Sequence, residues 1–350
     1  MTALRAGAPG KLILVGEYAV LEGAPAVVAA VQRRARVTIE SGGDGAGLVE
    51  APQVVDEPLR FRVDERGFRF DDAARARGLG MTARLLPALL ECCASRTPIR
   101  RILVDTAALH AADGVKLGLG SSAAVAAALA TAVAALVGRE APTLDALLPT
   151  YRAALGGPAS GADLAAALRG GWLRVQAGGG NLVADEWEPP PGLRILPVWT
   201  GRAADTADHV AAFRAWREGR PEEASDWLAR AGSLSAAASG AGEVTGFLEA
   251  CRAWTAMLDE LGAAMDKPVL SDRHRPLLRL AASAGVLYKS CGAGGGDLGV
   301  AMSDDAERLS AFRAGVSGLG ARPVDLAFAG PGAGVEDGPS PSRRGPREGA

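Results

Sequence analysis

Histidine is scarce in this sequence: there are three in 350 residues, His110, His209 and His274, far apart in the chain. That scarcity disfavours a His-rich zinc site or a His-centred triad and favours chemistry that needs no imidazole. Cysteine is also scarce. Cys92, Cys93, Cys251 and Cys291 contain no C-x-x-C pair, and no basic n-region leads into a cleavable apolar stretch, so reduced thiols and a cytoplasmic location are expected. Lysine is the third rarity. Of 38 basic residues only Lys11, Lys116, Lys267 and Lys289 are lysine, which leaves 34 arginines. Nor is one sign of charge in surplus, with 38 basic against 40 acidic residues. No global field holds nucleic acid or an anionic membrane, and any anion must be bound locally.

One uncharged stretch, residues 117–138, is long enough to cross a bilayer. It is mostly alanine and opens with Gly118, Gly120, Ser121 and Ser122, so transfer into lipid gains little and a buried core helix is expected. The rest is ordinary globular composition, 48% hydrophobic and 22% charged, which excludes a disordered chain and a disulfide scaffold. A length of 350 residues suits two packed domains.

Along the chain, residues 11–40 read as strands and turns, and residues 59–70 as a hairpin at a sheet edge. Residues 73–95 read as helical, 99–109 as a strand and 144–155 as a helix. The segment "GGPASGADLAAALRGGWLRVQAGG" repeats loop, short helix, glycine pair and strand. Three prolines at 189–191 cannot continue a helix and lead into a strand over 193–199. Helices are expected over 204–218, 222–238 and 244–264 and near 273–284, then a strand at 298–302 and a helix over 306–319. The domains so read are 1–190 and 191–330, with 331–350 a disordered tail.

Chemistry concentrates in three glycine-bearing segments. In "GVKLGLGSSAAVAAALATAVAALV" a glycine turn stands directly before the long helix, where free N–H groups and the helix dipole favour a polyphosphate. It is not a Walker A loop, because Lys116 precedes the glycines. Ser121 and Ser122 have an equally simple reading as helix N-caps. The segment "YKSCGAGGGDLGVAM" crowds five glycines into eight residues, a density that implies positive φ or close approach to a ligand. Its Asp297 suits either a ligand contact or an Asx-turn. In "PASGADLAAALRGG", Asp163 follows Ser160 by three residues, so a capping box competes with a catalytic carboxylate. Lys116 and Lys289 fall in such segments and Lys11 directly follows Gly10, so three of the four lysines stand in or beside glycine-bearing motifs, where a compact ammonium is wanted rather than a planar fork.

Together the three motifs resemble the GHMP kinases, the superfamily of galactokinase, homoserine kinase, mevalonate kinase and phosphomevalonate kinase. "APGKLILVGEYAVLEGAPAV", "GLGSSAAV" and "GAGGGDLGVAM" stand in family order over residues 5–330. "GEYAVLEG" with Tyr18, "WTGRAADT" and "KSCGAGGGD" look most like the phosphomevalonate kinase branch. The resemblance implies an α+β fold, with an N-terminal ribosomal-protein-like domain, a C-terminal ferredoxin-like domain and an active site between them. It implies ATP and magnesium as cofactors and a small anionic metabolite as partner. No nucleic acid or membrane is expected, and a homodimer is compatible.

Carried over by residue, Lys116, Gly118, Leu119, Gly120, Ser121, Ser122 and Ala123 would wrap the ATP phosphates, with Ser122 touching magnesium. Lys11 would neutralise the transferring phosphoryl, and Asp163 would be the catalytic carboxylate, as base or as the ion-pair partner that orients Lys11. Glu17, Tyr18, Ser160, Lys289, Ser290, Gly292, Ala293, Gly294, Gly295 and Asp297 would meet the substrate. In the mevalonate kinase branch a glutamate on the helix before "SG-x-D" helps hold magnesium; here Arg152 occupies that place. It offers charge to a more anionic acceptor or lies on a solvated face. The expected reaction is phosphorylation of phosphomevalonate, with mevalonate or homoserine as alternative acceptors and a catalytically silent sensor as an alternative of another class.

Overall fold

The structure, a computed structural model, describes residues 3–43, 45–64, 67–90, 98–157, 159–178 and 181–337. In chain order the first half contains β1 (Ala3–Val15), β2 (Pro25–Ser41), β3 (Ala46–Glu50), β4 (Leu59–Asp64), β5 (Gly67–Phe70), α1 (Ala73–Ala76) and α2 (Met81–Leu90). It continues with β6 (Ile99–Asp105), α3 (Ser121–Leu136), α4 (Leu144–Leu155), α5 (Ala162–Arg169), β7 (Trp172–Gly178) and β8 (Asn181–Glu186). The second half contains β9 (Arg194–Trp199), α6 (Thr206–Gly219), α7 (Pro221–Gly240), α8 (Val244–Ala264), α9 (His274–Ala284), β10 (Leu287–Ser290) and β11 (Leu298–Ser303). It ends with α10 (Ala306–Val316), β12 (Arg322–Pro323) and β13 (Gly334–Val335).

β1 and β2 are rich in Val, Ile and Ala and buried on both faces through much of their length. Continuous apolar runs therefore replace the alternation of a half-exposed strand. The two pair antiparallel, and the far edge of β2 forks. Its first residues pair with β7 and its last with β6. The hairpin of β4 and β5 lies at the sheet edge, as its charged alternation predicts. α3 packs across β1 and β2. It is buried nearly all round, and its alanines let it approach the sheet closely. Among the described residues no helix is long and apolar enough to cross a membrane.

The chain leaves this sheet between β8 and β9, across the three prolines, and builds a second sheet in the order β10-β11-β9-β12, all antiparallel. That is the strand order of a ferredoxin-like unit, with α6 to α9 inserted between its first and second strands. α9 and α10 cover one face with a separate small core around Tyr288 and Phe312. α7 and α8 reach back onto β1 and β2, so one large core spans both sheets.

Several expectations are corrected. The helix over 73–95 is interrupted near Gly78 and Gly80 and resumes as α2; residues 91–97, with Cys92 and Cys93, lie outside the described residues. The short strands β3, β8 and β10 carry too little sequence pattern to be read in advance. Part of the stretch assigned to a disordered tail is ordered. β13 pairs with β1 at Ala6 and Gly7, and the Glu336 carboxylate is held by Arg5, Arg34 and Arg36 at 3.4, 3.0 and 2.9 Å. Two residues of strand have no detectable periodicity, and the arginines that fix them sit about 300 positions away. The rest of the tail, 338–350, lies outside the described residues.

Candidate active site

The second glycine motif lies at a bend where β1 meets α3. Lys11 N–H donates to the Leu119 carbonyl at 2.8 Å, which fixes the loop beside the strand that carries Lys11. Gly118 and Gly120 adopt φ of 77° and 73°, in the left-handed region that side chains avoid. Space excludes side chains as well. A Cβ at Gly118 would fall 2.5 Å from the Asp297 carboxyl, and one at Gly120 would fall 3.1 Å from Lys11 Cγ.

Gly120 is the N-cap of α3, and no side chain caps it. The serines are therefore not caps but the first two helical residues. The N–H groups of Ser121, Ser122 and Ala123 precede the first intrahelical bond, from Ala124 N–H to the Gly120 carbonyl. Ser122 is exposed, and no protein group among the described residues engages its hydroxyl. An uncapped helix start with the positive end of its dipole outward is an anion site.

This loop lines a cavity of about 600 Å³ that also receives Lys11, Lys116, Asp163 and Asp297. Neither lysine lies within ion-pair distance of a carboxylate among the described residues. Asp163 sits in the first turn of α5, capped by Gly161. Ser160 Oγ accepts from Ala162 N–H at 3.3 Å, a local turn in place of a capping box. The Asp163 carboxylate accepts from the Tyr151 hydroxyl at 2.7 Å and from Leu164 N–H at 2.9 Å. Tyr151 lines the cavity too. Burial, and then the adjacent Asp163 charge, push its hydroxyl well above the ordinary tyrosine range, so it stays a donor. The proposed ion pair between Asp163 and Lys11 is not present: Tyr151, which sequence reasoning missed, orients the carboxylate. Its signal was available, since Tyr151 and Asp163 flank one short loop.

Asp297 ties the third motif to "WTGRAADT". Its carboxylate accepts from Ala204 N–H at 2.9 Å, its N–H donates to the Arg202 carbonyl, and the Asp297 carbonyl accepts from Thr200 N–H. Burial raises its carboxyl above the usual range, against the pull of the Ala204 N–H and of Lys11 and Lys116. His274 fixes the turn behind it. Nε2 faces the Gly296 carbonyl at 3.1 Å and so carries the proton, leaving Nδ1 to accept from the Tyr288 hydroxyl at 3.0 Å. Burial lowers this imidazole to about 4.

Other expected substrate contacts do not face the cavity. Lys289 is fully buried and its ammonium is paired with Glu17; Glu17 also accepts from Trp254 Nε1 at 2.8 Å. Burial alone would push Lys289 towards neutrality, but the Glu17 carboxylate offsets it and leaves the pKa raised. Tyr18 is buried and donates to the Ala293 carbonyl at 2.5 Å. Glu17, Tyr18 and Lys289 thus clamp the third glycine loop onto the first motif. Ser290 is buried with its hydroxyl unpartnered among the described residues, and Gly292, Ala293, Gly294, Gly295 and Ser160 stand outside the lining. Arg152 does not lie on a solvated face. It is half-buried and braces the loop before α5, its Nε donating to the Ala159 carbonyl at 2.9 Å. Cys251 and Cys291 are buried free thiols, pushed up by burial to about 12 and about 11, so neither serves as a nucleophile.

Comparison with known proteins agrees with this arrangement. Residues 114–171 match the family model for the GHMP kinases N terminal domain. The chain is 31% identical to the phosphomevalonate kinase of Streptomyces sp. strain CL190, over 85% of this chain and 89% of that one. It is 30% identical to the mevalonate kinase of Aeropyrum pernix, over 91% and 98%. The structure is similar to that of Streptococcus pneumoniae phosphomevalonate kinase in complex with phosphomevalonate and AMPPNP. The TM-score is 0.73 at 20% identity, over 94% of this chain and 100% of that one, a likeness of fold.

Proposed function

Because the chain belongs to the GHMP kinases, we propose that this mevalonate-pathway kinase transfers the γ-phosphoryl group of ATP to phosphomevalonate, giving diphosphomevalonate. One observation carries the reading of a phosphoryl-transfer site. A glycine loop opens an uncapped helix N-terminus into the same cavity as two lysines that have no carboxylate partner among the described residues and a carboxylate held by a tyrosine. For the acceptor, support comes from the match to a phosphomevalonate kinase over most of both chains and from Tyr18 after "GE".

In this reading the backbone of Gly118 to Gly120 and the first N–H groups of α3 receive phosphate oxygens, and Lys116 and Lys11 offset their charge. Magnesium supplies further charge neutralisation across the phosphates when bound. The residues fit it: the exposed hydroxyl of Ser122, which no protein group engages among the described residues, would hold it, as suits an ion that dehydrates reluctantly and needs few protein ligands. A phosphate acceptor has a second pKa of about 6, so its attacking oxygen is mostly ionised near pH 7 and no proton needs to leave. Repulsion between two anions is then the larger barrier, and Lys11 lies where it can lower it. Asp163 positions the reacting groups.

The mevalonate alternative has its own support in Asp163, since a carboxylate oriented by Tyr151 suits removal of a hydroxyl proton. Coupled ADP release with magnesium-ATP decides between them. Phosphomevalonate is expected to give a kcat/KM at least about a hundredfold above that for mevalonate, a discrimination on the scale of a recognised charged group. A preference for mevalonate would overturn the acceptor reading and leave the kinase reading standing.

A further inference from the structure

Lys116 stands on a short hairpin between β6 and α3 whose tip meets the second sheet. His110 and Lys116 pair across it, Ala111 N–H donates to the Val115 carbonyl at 2.8 Å, and Gly114 turns the tip at φ 82°. So small a hairpin is held weakly by its own hydrogen bonds. Two further contacts meet at Asp113. Its Oδ1 accepts from Val115 N–H at 3.2 Å, an Asx-type turn within the tip. Its Oδ2 accepts from Arg322 Nη2 at 3.0 Å, across 209 residues of sequence. The Val115 N–H, and Arg322 after it, keep the Asp113 carboxyl below the usual aspartate range, so the pair is charged at neutral pH.

Arg322 is itself held. It lies on β12 opposite Trp199 of β9, and its guanidinium carbon is 4.5 Å from the centroid of the Trp199 ring. Trp199 is buried, and the next residue, Thr200, donates its N–H to the carbonyl of Asp297, which lines the cavity. A stacked guanidinium has little freedom left to lose when it takes a carboxylate. The surface pairs Arg220–Glu223 and Arg308–Asp305 join residues three apart in the chain. The Asp113–Arg322 pair instead joins the loop that carries Lys116 to the sheet that Asp297 leads into.

From this placement we propose that Asp113 and Arg322 are positioning residues for the nucleotide: their ion pair latches the hairpin to the second sheet and so sets where the Lys116 ammonium meets the phosphates of ATP. The proposal rests on the reading above that Lys116 offsets phosphate charge, and it is independent of which acceptor is used. Without the latch the hairpin keeps its Asx-type turn but samples more positions, and Lys116 spends less time where the phosphates bind. The cost falls on nucleotide affinity rather than on folding, because both partners are half exposed and such a pair adds little to stability.

The test is the affinity for magnesium-AMPPNP, measured by titration calorimetry on D113N, R322Q, the double variant and K116M beside wild type, with a melting temperature for each. D113N keeps an oxygen for the Val115 N–H and removes only the charge. It is expected to weaken binding about fivefold, the scale of one exposed charge pair, with the melting temperature within about 2 °C of wild type. R322Q should lose a similar factor, and the double variant no more than either single, since both act through one contact. K116M should lose about tenfold or more, and adding D113N to K116M should cost nothing further. Unchanged affinity in D113N, additive losses in the double variant, or a D113N loss that persists in the K116M background overturns the latch. If K116M binds as wild type does, the reading of Lys116 fails and this one with it. If K116M is weakened and D113N is not, this one alone fails.

Discussion

Single side chains in this kinase divide into those that face the cavity and those that hold its walls, and substitutions should separate the two. Lys11 faces the cavity without a carboxylate partner among the described residues, so Lys11→Met should lower kcat with phosphomevalonate by about a hundredfold or more without lowering stability. Asp163→Asn keeps a hydrogen-bond acceptor for Tyr151 and should cost less, with a loss that does not shrink between pH 7 and 9. A larger loss for Asp163→Asn, relieved as pH rises, would identify a general base and favour a hydroxyl acceptor. Glu17 and Lys289 are the opposite case. Each is buried against the other, and removing one partner strands a charge, so Glu17→Gln or Lys289→Met should each cost about 3–5 kcal/mol of unfolding free energy. The double variant should cost less than the two singles summed. Additive losses in a denaturant-monitored cycle would show that the two do not interact.

At the scale of elements, the clearest boundaries came from chemistry at their ends. α4 spans Leu144–Leu155 as its pattern predicts, because Thr143 Oγ1 accepts from Ala146 N–H at one end and Gly156 turns left-handed at the other. β13 is the contrary case, a two-residue strand held by ion pairs to distant arginines. Arg36 and Arg34 keep the Glu336 carboxyl below its usual range although partial burial works against them. Truncation before Pro331 should therefore lower Tm by roughly 3–6 °C relative to truncation after Asp337. Equal melting curves for the two truncations would show that the edge pairing with β1 contributes nothing.

For the whole molecule, the buried His274 links stability to pH. Its imidazole stands at about 4 in the folded protein against an unfolded value of about 6.5. The unfolded chain binds the extra proton between those values. The stability it contributes is thus complete above about pH 6.5 and is lost as pH falls towards 4, amounting to about 3 kcal/mol in all. Unfolding free energy measured at pH 7.5 and 5.0 should fall more steeply for wild type than for His274→Gln; parallel slopes would remove His274 from the linkage. The same residue marks the limit of reading from sequence. Composition and glycine loops at helix starts were enough for the long alanine helix, because these depend on neighbours within a few residues, and the order of three motifs carried the resemblance that implied the family and the α+β fold. Which charges face that cavity depended on packing. Lys289 carries the signature of a site lysine, yet its ammonium is spent on Glu17, 272 residues away. A charge is free for a ligand or consumed by the core according to which distant strand or helix lies beside it, and only the tertiary structure decides that.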